Sequence, residues 1–182
     1  SAPFYSNSSK IISFVFFFIV QVIPASLCYM MNKLENIVLP EKLTTIGSSA
    51  FKSCSLLGDL SVPQTVTSIG QSAFMYCTSI KHFEFPQGIK TVATSVLEGC
   101  TALQSVIIPS SVTAINMDAF YNCSGLQAIY NYAFTPQSIV ARTVNGVNKS
   151  TCILYVPMDY IDLYQAAAVW KDFLNIVGVA AD

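Results

Sequence analysis

The chain has 182 residues and a formal net charge of −1, with 10% charged and 53% hydrophobic residues. This hydrophobic content excludes a disordered chain. The sequence has no basic cluster, which argues against nucleic-acid binding and against a polybasic membrane patch, since both need several cationic side chains on one face.

The first 33 residues divide into a polar lead-in, residues 1–10, and an apolar segment, residues 11–33. Lys10 before this segment and Cys28 near its end are typical of a secretory or lipoprotein signal, although Leu27 stands where a small residue is usual. Shifted by 23 residues, the apolar positions of the segment also coincide with those of the repeat that follows. We favour a degenerate first repeat that acts as an N-terminal cap over an uncleaved signal.

Residues 34–152 contain a 23-residue repeat with the consensus LxxIxLPxxVTxIGxxAFxxC. A fixed period of this length is the signature of a solenoid. The apolar flanks of one unit can be covered only by its neighbours, so a single unit cannot fold alone. The clearest markers of the period are Pro40, Pro63, Pro86 and Pro109, together with Cys54, Cys77, Cys100 and Cys123.

The sequence of each unit predicts three short structural segments. The alternation in IxLP predicts a strand that the proline ends, because proline has no N–H for the next hydrogen bond. VTxI predicts a second extended piece, and AFxxC a single helical or 3₁₀ turn that faces the core. Residues 153–182 predict a C-terminal cap: a strand over 153–156, a helix over about 160–168 with Asp159 as N-cap, and a last strand.

These motifs resemble the BspA-like leucine-rich repeats of bacterial surface proteins, most closely over residues 34–131, and residues 153–182 resemble the family's C-terminal cap. The resemblance implies a leucine-rich-repeat superhelix and a secreted or surface-attached location. Some members bind host proteins such as fibronectin and fibrinogen. The resemblance therefore implies an adhesive role, without naming a ligand. We expect the partner to be a host matrix protein, plasma protein or glycan, with no cofactor and with membrane contact only through an anchor.

The repeated cysteines are best interpreted as a structural column in the core. Residues one period apart lie about 5 Å apart in adjacent coils, with side chains projecting in parallel, a direction that rarely suits a disulfide. Zinc is disfavoured because the sequence has no CxxC pair and no partner histidine. We expect free, buried thiols at Cys54, Cys77, Cys100 and Cys123, with structural disulfides as the alternative.

Catalytic candidates are few. His82 is the only histidine, so Ser-His-Asp or Cys-His chemistry would depend on it. Asp59 and Glu84 are predicted to lie beside it on the strand face, where a solvated polar patch is favoured over a metal or acid–base site. The sequence therefore predicts a protein that is not an enzyme.

Outward strand positions vary from unit to unit, whereas inward positions repeat almost unchanged. This contrast predicts a scaffold that presents a variable surface for binding. The alternative is an architectural spacer with no ligand of its own. The predicted ligand-binding residues of the strand face are Asp59, His82, Glu84, Ser105, Ile107, Tyr130 and Tyr132.

Overall fold

The computed structural model describes residues 13–15 and 20–180. Within this part of the chain, paired strands are parallel to their neighbours. Between residues 13 and 131 their registers join residues 23 positions apart, as in His82 with Ser105 and Ser105 with Ala128. Successive units therefore lie side by side as the period requires, and the predicted leucine-rich-repeat fold is confirmed.

The described residues form twelve short strands that fall into two sets. They are β1 (Ser13–Val15), β2 (Val22–Ile23), β3 (Asn36–Val38), β4 (Thr45–Ile46), β5 (Ser68–Ile69), β6 (His82–Glu84), β7 (Thr91–Val92), β8 (Ser105–Ile108), β9 (Ala114–Ile115), β10 (Ala128–Asn131), β11 (Ile153–Pro157) and β12 (Asn175–Val179). The outer strands form a pair, β1-β3, and a five-stranded sheet in the order β12-β11-β10-β8-β6. The second strands form β2-β4-β5 and β7-β9.

One hydrophobic core runs through the stacked units, because inward positions of successive coils lie above one another. Leu57, Ile80 and Leu103 are fully buried in this core. The rings of Phe51 and Phe74 stack with centroids 5.2 Å apart. Each unit thus covers the apolar flank of the next, which is the main stabilising contribution available to units this small.

The segment before each cysteine does not form the predicted helical turn. Ser49 and Ser53 have φ of +55° and +63°. Residues with positive φ alternate here with residues of negative φ, so the segment forms consecutive turns in place of a helix. This geometry points alternate N–H groups at the next unit, as from Phe51 to the carbonyl of Ala73 at 2.8 Å. The prediction was wrong because a helical turn bonds only to itself, whereas this segment extends a third hydrogen-bonded ladder along the solenoid. We call this side of the molecule the turn face.

Residues 59–62 form no strand, although they carry the strand pattern. The following unit places Phe83 and Phe85 at inward positions where its neighbours have smaller aliphatic residues, and the two rings meet edge to face with centroids 4.9 Å apart. Residues 59–62 pair neither with β3 nor with β6, and Leu60 is only half-buried. The prediction of a strand at residues 59–62 is therefore wrong, and β6 lies at the edge of its sheet.

The C-terminal cap has the predicted order of strand, helix and strand, with different boundaries. The helix is α1 (Ile161–Ala166), and its N-cap residue is Tyr160, without a side-chain capping bond. Asp159, the predicted N-cap, lies inside the 3₁₀ helix Met158–Tyr160 and is wrong in that role. The rings of Tyr164 in α1 and Trp170, both fully buried, meet with centroids 5.9 Å apart and close the end of the core.

All six cysteines are buried and free. In the column, each thiol donates to a carbonyl of the preceding unit, such as Cys77 to Phe51 at 3.0 Å. Burial raises the pKa of Cys54 to about 12, with a smaller contribution from neighbouring Cys28. Burial also raises the pKa of Cys77, Cys100 and Cys123 well above the usual thiol range. These thiols are neutral, weak donors inside the core.

The N-terminal lead-in, residues 1–10, lies outside the described residues, as do residues 11–12 and 16–19. The choice between a degenerate repeat and a signal segment stays a prediction. The backbone of β1 pairs with β3 in the same register of 23. Among the described residues, no helix is both apolar enough and long enough to pass through a bilayer.

Thr143 offers a test of core packing, because its hydroxyl is buried without a hydrogen-bond partner. Such a group costs about 1–3 kcal/mol. We expect Thr143→Val, which keeps the shape and removes the hydroxyl, to raise the free energy of unfolding by about 1 kcal/mol in urea titrations. The exposed Thr135→Val is the control and should change it by less than about 0.5 kcal/mol. A less stable Thr143→Val protein would show that the hydroxyl has a stabilising contact.

The buried thiols predict a loss of stability at alkaline pH. A free thiol in the unfolded chain ionises near pH 8.5, whereas the pKa of folded Cys54 is about 12. The contribution of each buried thiol to the free energy of unfolding is therefore fully present below about pH 8.5 and is lost as the pH rises toward 12. The loss is about 2 kcal/mol per thiol at pH 10. In urea titrations, the stability advantage of the wild type over Cys54→Ala should shrink between pH 7.5 and pH 10. A constant difference would contradict the shifted pKa.

Candidate binding surface

The outer face of the five-stranded sheet presents two columns of side chains. Alternate residues of a strand point to the same face, and the parallel registers bring equivalent residues of successive strands into line. The first column is His82, Ser105, Ala128, Ile153 and Asn175, and the second is Glu84, Ile107, Tyr130, Tyr155 and Val177.

Most of the second column is apolar, and we call Ile107, Tyr130, Tyr155 and Val177 the tyrosine stripe. The rings of Tyr130 and Tyr155 are stacked, with centroids 4.5 Å apart and planes 8° from parallel. Val177 is 42% exposed, and both tyrosines are half-buried. The stripe is thus an apolar surface held by hydrogen-bonded strands, with little side-chain freedom left to lose on binding.

The polar end of the face is a cleft of about 380 Å³ between residues 59–64 and β6. We call it the strand-face cleft. Asp59, His82, Glu84 and Ser105 line it, and Ile107 joins it to the tyrosine stripe. The cleft exists because residues 59–62 do not pair with β6.

Asp59 replaces a missing backbone acceptor at this junction. Its Oδ1 accepts hydrogen bonds from the backbone N–H of Lys81 at 2.6 Å and of His82 at 2.9 Å. One junction later, the carbonyl of Lys81 accepts the two corresponding bonds from Gln104 and Ser105. A side chain therefore takes the role of the main chain where the ladder is interrupted.

His82 contacts Ser105 across the strands, with Nδ1 and Oγ 2.8 Å apart. A serine beside a histidine is one part of a nucleophilic site, but the base also needs a group that orients it. Among the described residues no carboxylate bonds to the His82 ring, and Oδ1 of Asp59 accepts backbone N–H groups instead. Nor does any group of three His, Cys, Asp or Glu in this part of the chain have the geometry to hold a metal ion. The geometry supports hydrogen bonding to a ligand.

The predicted site residues occupy three places on the molecule. Tyr132 lies just beyond β10 and is half-buried. Phe134, two residues further along the chain, faces Tyr160, with ring centroids 5.3 Å apart. Tyr130 belongs to the tyrosine stripe, and Asp59, His82, Glu84, Ser105 and Ile107 share the strand-face cleft.

The sequence reasoning missed Tyr155 and Val177. Residues 131–152 change the spacing between equivalent strand positions from 23 to 25, so Tyr130 aligns with Tyr155. The step to Val177 is then 22. Aligning Pro157 with the repeated proline would have identified Tyr155, because both end an outer strand.

The sequence matches the family model described as BspA type Leucine rich repeat region, in six copies over residues 1–127. The chain therefore belongs to the BspA-type leucine-rich-repeat family, as the motif resemblance suggested. Among curated proteins, none matches it.

Three similar solved structures are bacterial. The leucine-rich-repeat protein TpLRR of T. pallidum is 26% identical over 65% of this chain, with a TM-score of 0.62. The pneumococcal vaccine antigen PcpA is 18% identical over 93%, with a TM-score of 0.70. A leucine-rich cell surface protein of Faecalibacterium prausnitzii is 20% identical over 78%, with a TM-score of 0.50. The chain spans 58%, 42% and 54% of these chains, respectively.

Asp59 provides a test of the interrupted junction. Asp59→Ala removes the acceptor of two N–H groups and should lower the free energy of unfolding by about 1–2 kcal/mol. The amides of Lys81 and His82 should exchange with solvent faster, as followed by NMR. Asp59→Asn keeps Oδ1 as an acceptor and should retain most of the protection. Equal exchange in Asp59→Ala and wild type would show that the side chain does not replace a backbone carbonyl.

Proposed function

We propose that this protein is a non-catalytic binding module of a bacterial surface or secreted protein, which engages a protein or glycan partner through the outer strand face. The observation that carries the proposal is the stacked pair of Tyr130 and Tyr155 in an apolar stripe on a hydrogen-bonded sheet. Apolar side chains fixed on an accessible face are available for contact with a partner.

Tyrosine suits this role for physical reasons. Its ring buries a large apolar area with few rotatable bonds, while its hydroxyl can bond to the partner, and tyrosine is enriched among residues that dominate binding energy. Mutual stacking restricts the two rings further, so less entropy is lost on association. The five strands span about 20 Å, long enough for contact with several residues or sugar units.

The polar cleft next to the stripe adds selectivity. Glu84 and His82 are exposed, and the ring of His82 is positioned by Ser105. Charged and hydrogen-bonding groups at the edge of an apolar contact favour partners with complementary groups and disfavour others. The stripe would supply most of the affinity and the cleft most of the discrimination.

Membership of the BspA-type family and the similar solved structures support a location at the bacterial surface. One similar structure is titled a cell surface protein and another a vaccine antigen, descriptions that belong to those proteins. Because this chain spans only part of their length, a surface or secreted location is a proposal for this chain.

The test uses an array of purified extracellular-matrix proteins, plasma proteins and glycans, probed with the whole chain. We expect saturable binding that weakens at least about tenfold in Tyr130→Ala/Tyr155→Ala, a loss of about 1.4 kcal/mol or more. The matched control is Tyr76→Ala/Tyr121→Ala, which removes two tyrosines from the turn face and should bind normally.

The outcomes separate two functions. Binding that depends on the stripe supports a binding module. Equal loss in the control pair would mean that the stripe is not the contact surface. No binding to any array member would overturn the proposal and favour an architectural spacer.

A further inference from the structure

The edge of β6 is open over a defined stretch. In a parallel sheet, the N–H groups of successive residues point to opposite sides of the strand. The N–H of Phe85 donates to the carbonyl of Ile107 on β8 at 3.0 Å, so the N–H of Glu84 points to the other side. Its expected acceptor would be in residues 59–62, which form no strand. The described residues provide no hydrogen-bond partner for this N–H.

Side chains close both ends of this stretch. At one end, Asp59 accepts the N–H of His82 at 2.9 Å. At the other, Gln64 Oε1 accepts the N–H of Gln87 at 2.9 Å, and Pro86 has no N–H at all. Between them, the N–H of Glu84 faces the strand-face cleft. By the same alternation, the carbonyls of His82 and Glu84 point to this side.

At this junction the second strands β5 and β7 are not paired either, and the turn face carries the bonds between the two units. On the turn face, the same two units stay bonded through the N–H groups of Ser72, Phe74 and Tyr76, at 2.7–3.0 Å from their acceptor carbonyls. On the strand face, the rings of Phe83 and Phe85 lie in the interior next to Phe74. The cleft is therefore open toward solvent, with a strand edge along one wall, between two units that are joined through the turn face.

We propose that the β6 edge binds an extended peptide segment of the partner protein, which adds a strand beside Phe83. This inference rests on the proposed function and narrows the partner to a protein. A single peptide residue opposite Phe83 would donate its N–H to the carbonyl of His82 and accept the N–H of Glu84, which is the normal exchange of a paired strand. A glycan has no N–H and C=O groups that alternate along an extended backbone.

Charge and apolar contacts define the peptide further. Glu84 is exposed and forms no ion pair with any described residue, so a Lys or Arg of the peptide can pair with it. Half-buried Leu60 lines the opposite wall and offers an apolar contact for a neighbouring side chain. The occupant is therefore an extended, basic segment with apolar residues.

The first experiment measures amide exchange in the free chain by NMR. We expect the Glu84 amide to exchange at least about 100-fold faster than the Phe85 amide, because only the latter is bonded to β8. Comparable protection of both amides would mean that the edge is already paired, and would overturn the proposal.

The second experiment selects peptides of about eight residues, each with one fixed Lys, from a displayed library against the whole chain. We expect binders with Kd below about 100 µM, whose affinity falls at least tenfold when the N–H of alternate residues is methylated and much less at the residues between. Failure to select a binder, or equal sensitivity at every residue, would overturn strand addition.

Two variants of one residue isolate the backbone group. Glu84→Pro removes the N–H that faces the cleft, at a position where a strand edge tolerates proline, and should abolish peptide binding. Glu84→Ala keeps the N–H and loses only the charge, so it should weaken binding by less than tenfold. If Glu84→Pro does not fold, the methylated peptides still decide the question.

The test of peptide binding at β6 is independent of the array test of Tyr130 and Tyr155. Array binding that depends on Tyr130 and Tyr155 but is unaffected by Glu84→Pro would leave the binding module in place and overturn strand addition. Peptide binding at β6 without any array partner would support strand addition while the proposed use of the stripe fails. Self-association that Glu84→Pro abolishes would identify a second copy as the occupant and contradict a foreign partner.

Discussion

The structure depends on one constraint: no single coil can satisfy its own backbone and apolar surface. A unit of 23 residues has too few contacts to balance the entropy of ordering it, so its N–H groups and inward side chains must be completed by neighbours. The turn face shows this most clearly. Positive-φ residues such as Ser49 and Ser53 are accepted there because they direct hydrogen bonds into the next coil. Local strain is offset by bonds between units.

The second constraint is that backbone ladders and side-chain volume compete for the same separation between coils. Paired strands lie about 4.8 Å apart, a distance that aliphatic side chains accommodate at most junctions. Phe83 and Phe85 are larger than the aliphatic residues at the equivalent inward positions of the neighbouring units, and their rings lie in the interior next to Phe74. The strand ladder is interrupted at residues 59–62, and Asp59 and Gln64 supply acceptors from their side chains. The strand-face cleft lies at this interruption.

This competition also explains what could be predicted from the sequence. The period determined the register of β6, β8 and β10, because identical spacing places identical residues opposite each other. The break at residues 59–62 could not be read from the same pattern, since Leu60 and Val62 fit it as well as any unit does. It coincides with two large aromatic residues at the inward positions one coil later. Tyr155 was missed for a different reason, because an insertion before it shifted the spacing.

The two faces of the solenoid are therefore unequal in what they can tolerate. The turn face keeps its bonds at each junction between residues 20 and 123, including the one where the strand face opens. Because this continuous ladder holds the coils together, the strand face can lose a rung or carry exposed tyrosines without separating the units. Outward residues such as Glu84 and Tyr130 are then less constrained by packing than Phe74 and Cys77, which are fully buried. A repeat with one continuously bonded face and one permissive face can acquire a binding site by changing the outward residues of a single coil.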